Sequence, residues 1–219
     1  MVMKHLTLRL ATLGMFVLTP LATAFAADTY TAGKDYEVLS APGVVDKPGM
    51  IEVREFFWYG CPHCYRLEPN VAAWLKTKPT DVNFVRTPAA MNPVWEQNAR
   101  GYYAIDMMGL TDKVHGPLFS TIHEKNVRLY DQNTLGIFYK AFGADQNRFN
   151  SLFNSFAVTG KVAQGKALAM RYKLEGVPAM VVNGKYVVKG EDAKVIQVVN
   201  YLIAKERAAG ATRPVQKAS

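Results

Sequence analysis

The sequence predicts an α/β fold in which a sheet built from both ends of the chain is interrupted by an inserted all-helical domain. Near the start, the stretch 51–59 alternates and is rich in β-forming residues, and 81–88 is a second candidate strand. From about 94 to 173, apolar residues instead recur at helical spacing with no strand-like alternation. A later apolar segment, 179–189, contains an Asn-Gly pair, which is typical of a tight β-hairpin.

The first residues have the pattern of an export signal. A basic start precedes the apolar run LATLGMFVL (10–18), and the small residues AFA (24–26) follow it. A single membrane anchor is the alternative, but the run is too short to span a bilayer. We therefore predict a signal peptide over residues 1–26, cleaved after Ala26, and an exported mature protein.

The rest of the chain is long enough for one domain with a large insertion. We predict that residues 27–92 and 174–219 together form the sheet domain, with its last helix over 192–208, and that 93–173 form the helical insertion. The formal net charge is +8, but the Lys and Arg residues are scattered among acidic ones. This distribution argues against a nucleic-acid-binding protein.

Both cysteines of the chain lie in the motif CPHC, as Cys61 and Cys64. A structural disulfide across so small a loop would contribute only about 2 kcal/mol. A structural zinc site needs about four ligands, and His63, His115 and His123 have no recognisable zinc-site spacing relative to the thiols. We expect His115 and His123 to be surface residues. The pair is therefore predicted to be redox-active.

The residues around the pair indicate different roles for the two thiols. After the turn at Gly60, the stretch 61–78 is predicted to be a helix, and Pro62 suits its first position. Cys61 would then lie exposed at the helix N-terminus, where unpaired N–H groups and the helix dipole favour a thiolate. His63 could add charge or a hydrogen-bond donor to the same sulfur, and the shielded Cys64 would be the resolving thiol.

A second motif, EGVPAMVVNGKYVV (175–188), places Pro178 directly before two apolar strands joined by Asn183 and Gly184. From base rates alone the bond between Val177 and Pro178 is expected to be trans, because only about 5–6% of X–Pro bonds are cis. This motif, together with CPHC after an aromatic-rich strand, resembles the DsbA-type periplasmic thiol:disulfide oxidoreductases. The resemblance covers essentially the whole mature chain.

This resemblance implies a thioredoxin-like sheet with an inserted all-helical domain, and a protein that donates the Cys61–Cys64 disulfide with no further cofactor. In similar proteins the proline is cis and packs beside the cysteines, so Val177, Pro178 and Pro62 are expected to bind substrate peptide. The implied substrates are unfolded or newly exported cysteine-containing proteins. A membrane DsbB-like quinone-linked oxidase would reoxidise the pair, and the protein would be a periplasmic monomer.

Two charged residues occupy strand positions where the pattern requires apolar side chains. Glu55 shares a strand face with Val53 and Phe57, and Arg86 shares one with Phe84. We expect a buried carboxylate and guanidinium near the active site, with Glu55 relaying the proton of the resolving thiol. The resemblance supports a buried acid at this position, whereas Arg86 departs from the lysine usual in the family, which leaves their pairing open.

Trp58 and Tyr59 adjoin the cysteine turn, and an exposed apolar rim there would suit the binding of unfolded chains. Two other functions use the same scaffold. A disulfide reductase or isomerase would run the same chemistry in reverse, but similar exported isomerases carry an N-terminal dimerisation domain for which little chain precedes Cys61. A small-molecule isomerase or transferase would not require Cys64, so replacement of that residue discriminates between the classes.

Overall fold

The structure, a computed structural model, describes residues 30–211. The predicted signal peptide lies outside the described residues. In chain order the elements are β1 (Glu37–Val38), β2 (Ile51–Phe57), α1 (Pro62–Leu75), β3 (Val82–Pro88), α2 (Pro93–Asp106), α3 (Thr111–His123), α4 (Gln132–Lys140), α5 (Gln146–Phe153), α6 (Phe156–Arg171), β4 (Ala179–Val182), β5 (Tyr186–Lys189) and α7 (Ala193–Ala211).

The strands form one mixed sheet in the order β1-β5-β4-β2-β3. Strand β2 runs parallel to β3 and antiparallel to β4. Because Phe56 at the end of β2 pairs with Ala179 at the start of β4, the cysteine turn and Pro178 meet at the same edge of the sheet. The sheet register thus joins two motifs that lie more than one hundred residues apart in the sequence.

The predicted hairpin turn is confirmed. Asn183 and Gly184 have φ values of 49° and 63°, and the Lys185 amide donates to the Val182 carbonyl at 2.9 Å. Positive φ at both central residues is the geometry that makes Asn-Gly favourable in a hairpin.

Helices α1 and α7 cover one face of the sheet through their apolar residues. Leu67 and Val71 of α1 and Val199 and Leu202 of α7 are fully buried with Met180 of β4 in one cluster. Such a stripe at helical spacing is what keeps an amphipathic helix on a sheet.

Helices α2 to α6 follow one another between β3 and β4, and their apolar core is continuous with the cysteine turn. Cys61, Cys64 and Tyr59 belong to the same buried cluster as Leu118 and Phe119 of α3. The insertion therefore forms one wall of the active-site region. No helix within residues 30–211 is long and apolar enough to cross a membrane.

Candidate active site

Cys61 is the N-cap residue of α1, with extended backbone angles, and Pro62 occupies the first helical turn. The Cys64 amide donates to the Cys61 sulfur at 3.4 Å, and the Cys61 amide donates to the Trp58 carbonyl at 3.0 Å. A side chain at Gly60 would clash with the Trp58 ring, since its Cβ would lie 2.3 Å from Cζ2. The tight turn that aims Cys61 into the helix start therefore requires glycine.

This position lowers the pKa of Cys61 to about 6. The largest contribution is a hydrogen bond from the Cys64 side chain, and the backbone amides of Cys64 and His63 and the charge of His63 act in the same direction against the opposing effect of burial. Thiolate formation at a helix N-terminus is a general property of such sites. The expectation of a stabilised Cys61 thiolate agrees with this geometry.

Cys61 is nevertheless less accessible than the sequence led us to expect. Its exposed fraction is 6%, compared with 1% for Cys64, and its sulfur contacts the Val177 carbonyl at 3.4 Å. Burial raises the pKa of the Cys64 thiol far above its ordinary value, and hydrogen bonding and charge from Cys61 add to this increase. One thiol therefore ionises easily and the other does not.

The His63 side chain does not donate to the cysteine sulfur. Its Nδ1 lies 2.5 Å from Glu191 Oε2, and Arg66 contacts both groups, at 2.7 Å each through its Nη2. The donor that His63 supplies to Cys61 is its backbone amide. The expected imidazole donor is thus wrong, because a carboxylate on the segment after β5 binds the ring instead, while the expected charge contribution remains.

The Val177–Pro178 peptide bond is cis, as the resemblance implied. A groove of about 430 Å³ lies beside it and is lined by His63, Glu175, Gly176, Val177, Pro178, Lys189, Gly190 and Glu191. The exposed Pro62 precedes His63 at the same helix start. The structure therefore brings the candidate peptide-docking residues Val177, Pro178 and Pro62 together with the reactive sulfur.

Of the two residues of the predicted apolar rim, only Trp58 reaches the surface. The Trp58 ring is partly exposed and stacks on Trp95 of α2 with ring centroids 4.7 Å apart, and its Nε1 donates to Asn98 at 2.8 Å. Tyr59, in contrast, is fully buried and its hydroxyl lies 2.8 Å from His115 Nδ1. The helical insertion covers Tyr59, which a reading of the strand alone cannot show.

Glu55 and Arg86 form the buried pair that the strand pattern suggested. They are register partners on β2 and β3, and Arg86 Nε donates to Glu55 Oε2 at 3.1 Å. Arg86 Nη2 donates to Glu68 of α1 at 2.9 Å, so one guanidinium serves two carboxyl groups. Burial raises the pKa of Glu55 to about 7, although Arg86 opposes that effect. Glu55 also contributes to the raised pKa of Cys64.

The expectation that His115 and His123 are surface residues is wrong. His115 is 4% exposed, and its Nε2 lies 3.2 Å from Glu68 Oε2. The partly buried His123 donates from Nε2 to the Tyr59 carbonyl at 2.8 Å and stacks on Tyr65. Both face the cysteine helix because α3 packs directly against α1.

Sequence reasoning missed Glu68 and Glu191. Glu68 follows Cys64 by four positions, so helical spacing places both on one face of α1 and could have identified it. Glu191 is separated from His63 by 128 positions, and no local signal connects them. No cluster of three or more His, Cys, Asp or Glu residues suited to a metal ion occurs in the part of the chain that the structure describes.

Comparison with known proteins identifies the family of the chain. Residues 52–197 match the family model described as a DSBA-like thioredoxin domain. The chain belongs to the DsbA family. It is 43% identical, over 85% of its length and 90% of the relative's, to the thiol:disulfide interchange protein DsbA of Pseudomonas aeruginosa. The DsbA of Azotobacter vinelandii is 37% identical over 91% of this chain and 95% of its own.

Solved DsbA structures show the same fold. The crystal structure of Pseudomonas aeruginosa DsbA superposes with a TM-score of 0.80 at 43% identity, covering 85% of this chain and 99% of that one. The oxidoreductase DsbA of Xylella fastidiosa gives a TM-score of 0.77 at 33% identity, covering 82% and 98%. The predicted thioredoxin-like sheet with a helical insertion is therefore confirmed, and so is the resemblance to DsbA proteins.

Proposed function

We propose that this protein is a thiol:disulfide oxidoreductase that donates its Cys61–Cys64 disulfide to newly exported cysteine-containing proteins. The observation that carries this proposal is the chemical asymmetry of the pair at the start of α1. A thiol with a pKa near 6 is a good leaving group, and stabilisation of its thiolate stabilises the reduced protein. A disulfide whose reduced form is stabilised is readily given away.

The reaction proceeds by two thiol–disulfide exchanges. A substrate thiolate attacks the Cys61 sulfur, the bond between Cys61 and Cys64 breaks, and its electron pair passes to the Cys64 sulfur. A second substrate thiolate then attacks the substrate sulfur of the mixed disulfide and releases Cys61 as its stabilised thiolate. The substrate loses two electrons and gains a disulfide, while the cysteine pair gains those electrons.

Glu55 is the proton donor for Cys64 in the first exchange. The buried Cys64 thiolate has a strongly raised pKa and must take up a proton. A carboxyl group with a pKa of about 7 is protonated often enough at neutral pH to supply one, and its anion can accept it when the pair is reoxidised. A membrane DsbB-like quinone-linked oxidase is the reoxidising partner in this proposal.

Substrate docking uses the edge of the sheet beside Cys61. The backbone of Val177, next to Pro178, can pair with an extended peptide, and Pro62 and Trp58, which flank Cys61 in the sequence, are expected to supply apolar contacts. Because Cys61 is only 6% exposed, the access of a substrate thiolate to its sulfur is restricted. Docking through backbone contacts suits substrates whose sequences vary. We further propose that the protein acts as a monomer in the periplasm after cleavage at Ala26.

The redox equilibrium of the purified mature protein against graded glutathione buffers tests this function. We expect the pair to remain reduced even in strongly oxidising mixtures, as a disulfide donor must. A pair that stays oxidised until the buffer is strongly reducing would instead indicate a reductase or a structural disulfide.

Trapping experiments test the roles of the two thiols. In a Cys64→Ala variant, mixed disulfides with reduced unfolded proteins should accumulate on Cys61, because the resolving thiol is absent. The matched Cys61→Ala variant should trap far less, since Cys64 is buried and protonated. Adducts found mainly on Cys64 would contradict the assignment.

A further inference from the structure

His115 occupies a buried polar site that the proposed exchange steps do not use. Its Nε2 lies 3.2 Å from Glu68 Oε2, and neither of these buried atoms has a hydrogen-bond partner among residues 30–211. Its Nδ1 lies 2.8 Å from the Tyr59 hydroxyl. Since a hydroxyl can both donate and accept, Tyr59 can bond to the neutral imidazole and to the imidazolium. The site therefore accommodates both protonation states of His115.

Protonation of His115 would balance the charges of the neighbouring side chains. Arg86 is shared by Glu55 and Glu68, at 3.1 Å and 2.9 Å. When only Glu68 is ionised, it and Arg86 balance. When Glu55 has also lost its proton, two buried carboxylates share one guanidinium and leave a net negative charge. An uncompensated buried charge is costly, and the imidazole beside Glu68 is placed to neutralise it.

We propose that Glu55 and His115 are alternative sites for one exchangeable proton, linked through Arg86 and Glu68. When Glu55 passes its proton to the Cys64 thiolate, His115 takes up a proton from solvent on its ring and holds Glu68 as an ion pair. The guanidinium of Arg86 then pairs with the newly ionised Glu55. His115 is thus a positioning residue for the proposed proton relay, and this inference rests on the proposed function.

The groups that face His115 act on its pKa in opposite directions. Burial lowers the pKa of His115, Arg86 lowers it further, and Glu68 and Asp112 oppose these effects. Ionisation of Glu55 adds one more negative charge to this set and raises the proton affinity of the ring. The facing groups are Tyr59 before α1, Glu68 of α1, Arg86 of β3, Tyr102 of α2 and Asp112 of α3.

Histidine NMR titration of the intact protein tests the link directly. We expect the pKa of His115 to fall by about one unit in a Glu55→Gln variant, because the variant lacks the negative charge that stabilises the imidazolium. Glu52→Gln is the matched control, since Glu52 is equally buried but on the opposite face of β2. A His115 pKa that is the same in the wild-type protein and in Glu55→Gln would overturn the proposal.

A kinetic comparison provides a second test. His115→Gln should slow the single-turnover oxidation of a reduced peptide several-fold near pH 7 and change its pH profile. His123→Gln, on the same helix and bonded to the Tyr59 backbone, should leave the profile unchanged. If the wild-type protein transfers no disulfide, the proposed function fails. If transfer is normal and the His115→Gln profile superimposes on the wild-type profile, only this inference fails.

Discussion

Two thiols three positions apart in the sequence have opposite chemistry because the helix begins between them. Cys61 caps the helix and its sulfur accepts N–H groups from the first turn. Cys64 lies within that turn and faces the hydrophobic core at 1% exposure. The same burial that isolates Cys64 places Glu55 where it can influence it. Neither the metal nor the structural-disulfide alternative requires such an asymmetric pair.

Replacement of His63 by alanine should raise the pKa of Cys61 by less than about one unit. The backbone amide of residue 63 stays in place, and only the charge of an exposed ring is removed. Thiolate absorbance near 240 nm, followed against pH in the reduced protein, measures the change. A return of the pKa toward the ordinary value of 9.0 would show that the imidazole, and not the hydrogen bonds from the Cys64 side chain and the first-turn amides, dominates.

The placement of single side chains was predictable where a strand or a helix start fixes the direction in which they point. Alternation along β2 placed Glu55 on the same face as Val53 and Phe57, and parallel pairing brought it opposite Arg86. His115 was not predictable, because its burial depends on the packing of α3 against α1 and not on its own helix. The His63–Glu191 contact joins parts of the chain that only the completed sheet brings together.

Secondary-structure elements in this fold place the site through register and connection length. The antiparallel β2–β4 pairing sets Pro178 beside the cysteine turn, and the hairpin turn fixes the register of β4 against β5. Sequence patterns identified the hairpin and the helical insertion, since both depend on local spacing. How the insertion covers Tyr59 was not predictable, because that contact depends on tertiary packing.

The Gly184→Ala variant should lose about 1–3 kcal/mol of unfolding free energy. Gly184 has a φ of 63°, and a Cβ there would meet the Gly43 backbone at 2.8 Å. Gly160→Ala is the matched control, because Gly160 lies exposed in α6 with open space around its Cβ position. That control should gain about 0.5–1 kcal/mol. Equal effects of the two substitutions in denaturant unfolding would contradict this account of the hairpin turn.

Over the whole molecule, the site couples redox state to folding. The insertion and the sheet domain share the cluster that contains both cysteines, so a change in thiol charge affects the packed interior directly. A lowered pKa in the folded state means that the ionised form stabilises the fold. For Cys61 that contribution exists only in the reduced protein, because a disulfide sulfur cannot ionise.

The stability of the reduced protein should therefore rise with pH relative to the oxidised protein. The folded pKa of Cys61 is about 6 and the ordinary value is 9.0, so the thiolate contribution is absent below about pH 6 and grows as pH increases. Between pH 6 and 8 the gain should be about 2 to 3 kcal/mol, reduced somewhat by solvent screening. The small disulfide loop favours the oxidised protein by only about 2 kcal/mol.

The reduced form should consequently be the less stable one at pH 5 and the more stable one by pH 8. Denaturant unfolding of both forms at each pH measures this, and the oxidised protein serves as the control because it lacks only the two titrating thiols, of which Cys64 has little effect below pH 8. Above pH 9 the trend should reverse, since Cys64 ionises in the unfolded chain but stays protonated when folded. If the unfolding free energies of the two forms change in parallel between pH 6 and 8, the Cys61 thiolate does not stabilise the fold. The driving force for disulfide donation would then have to arise elsewhere.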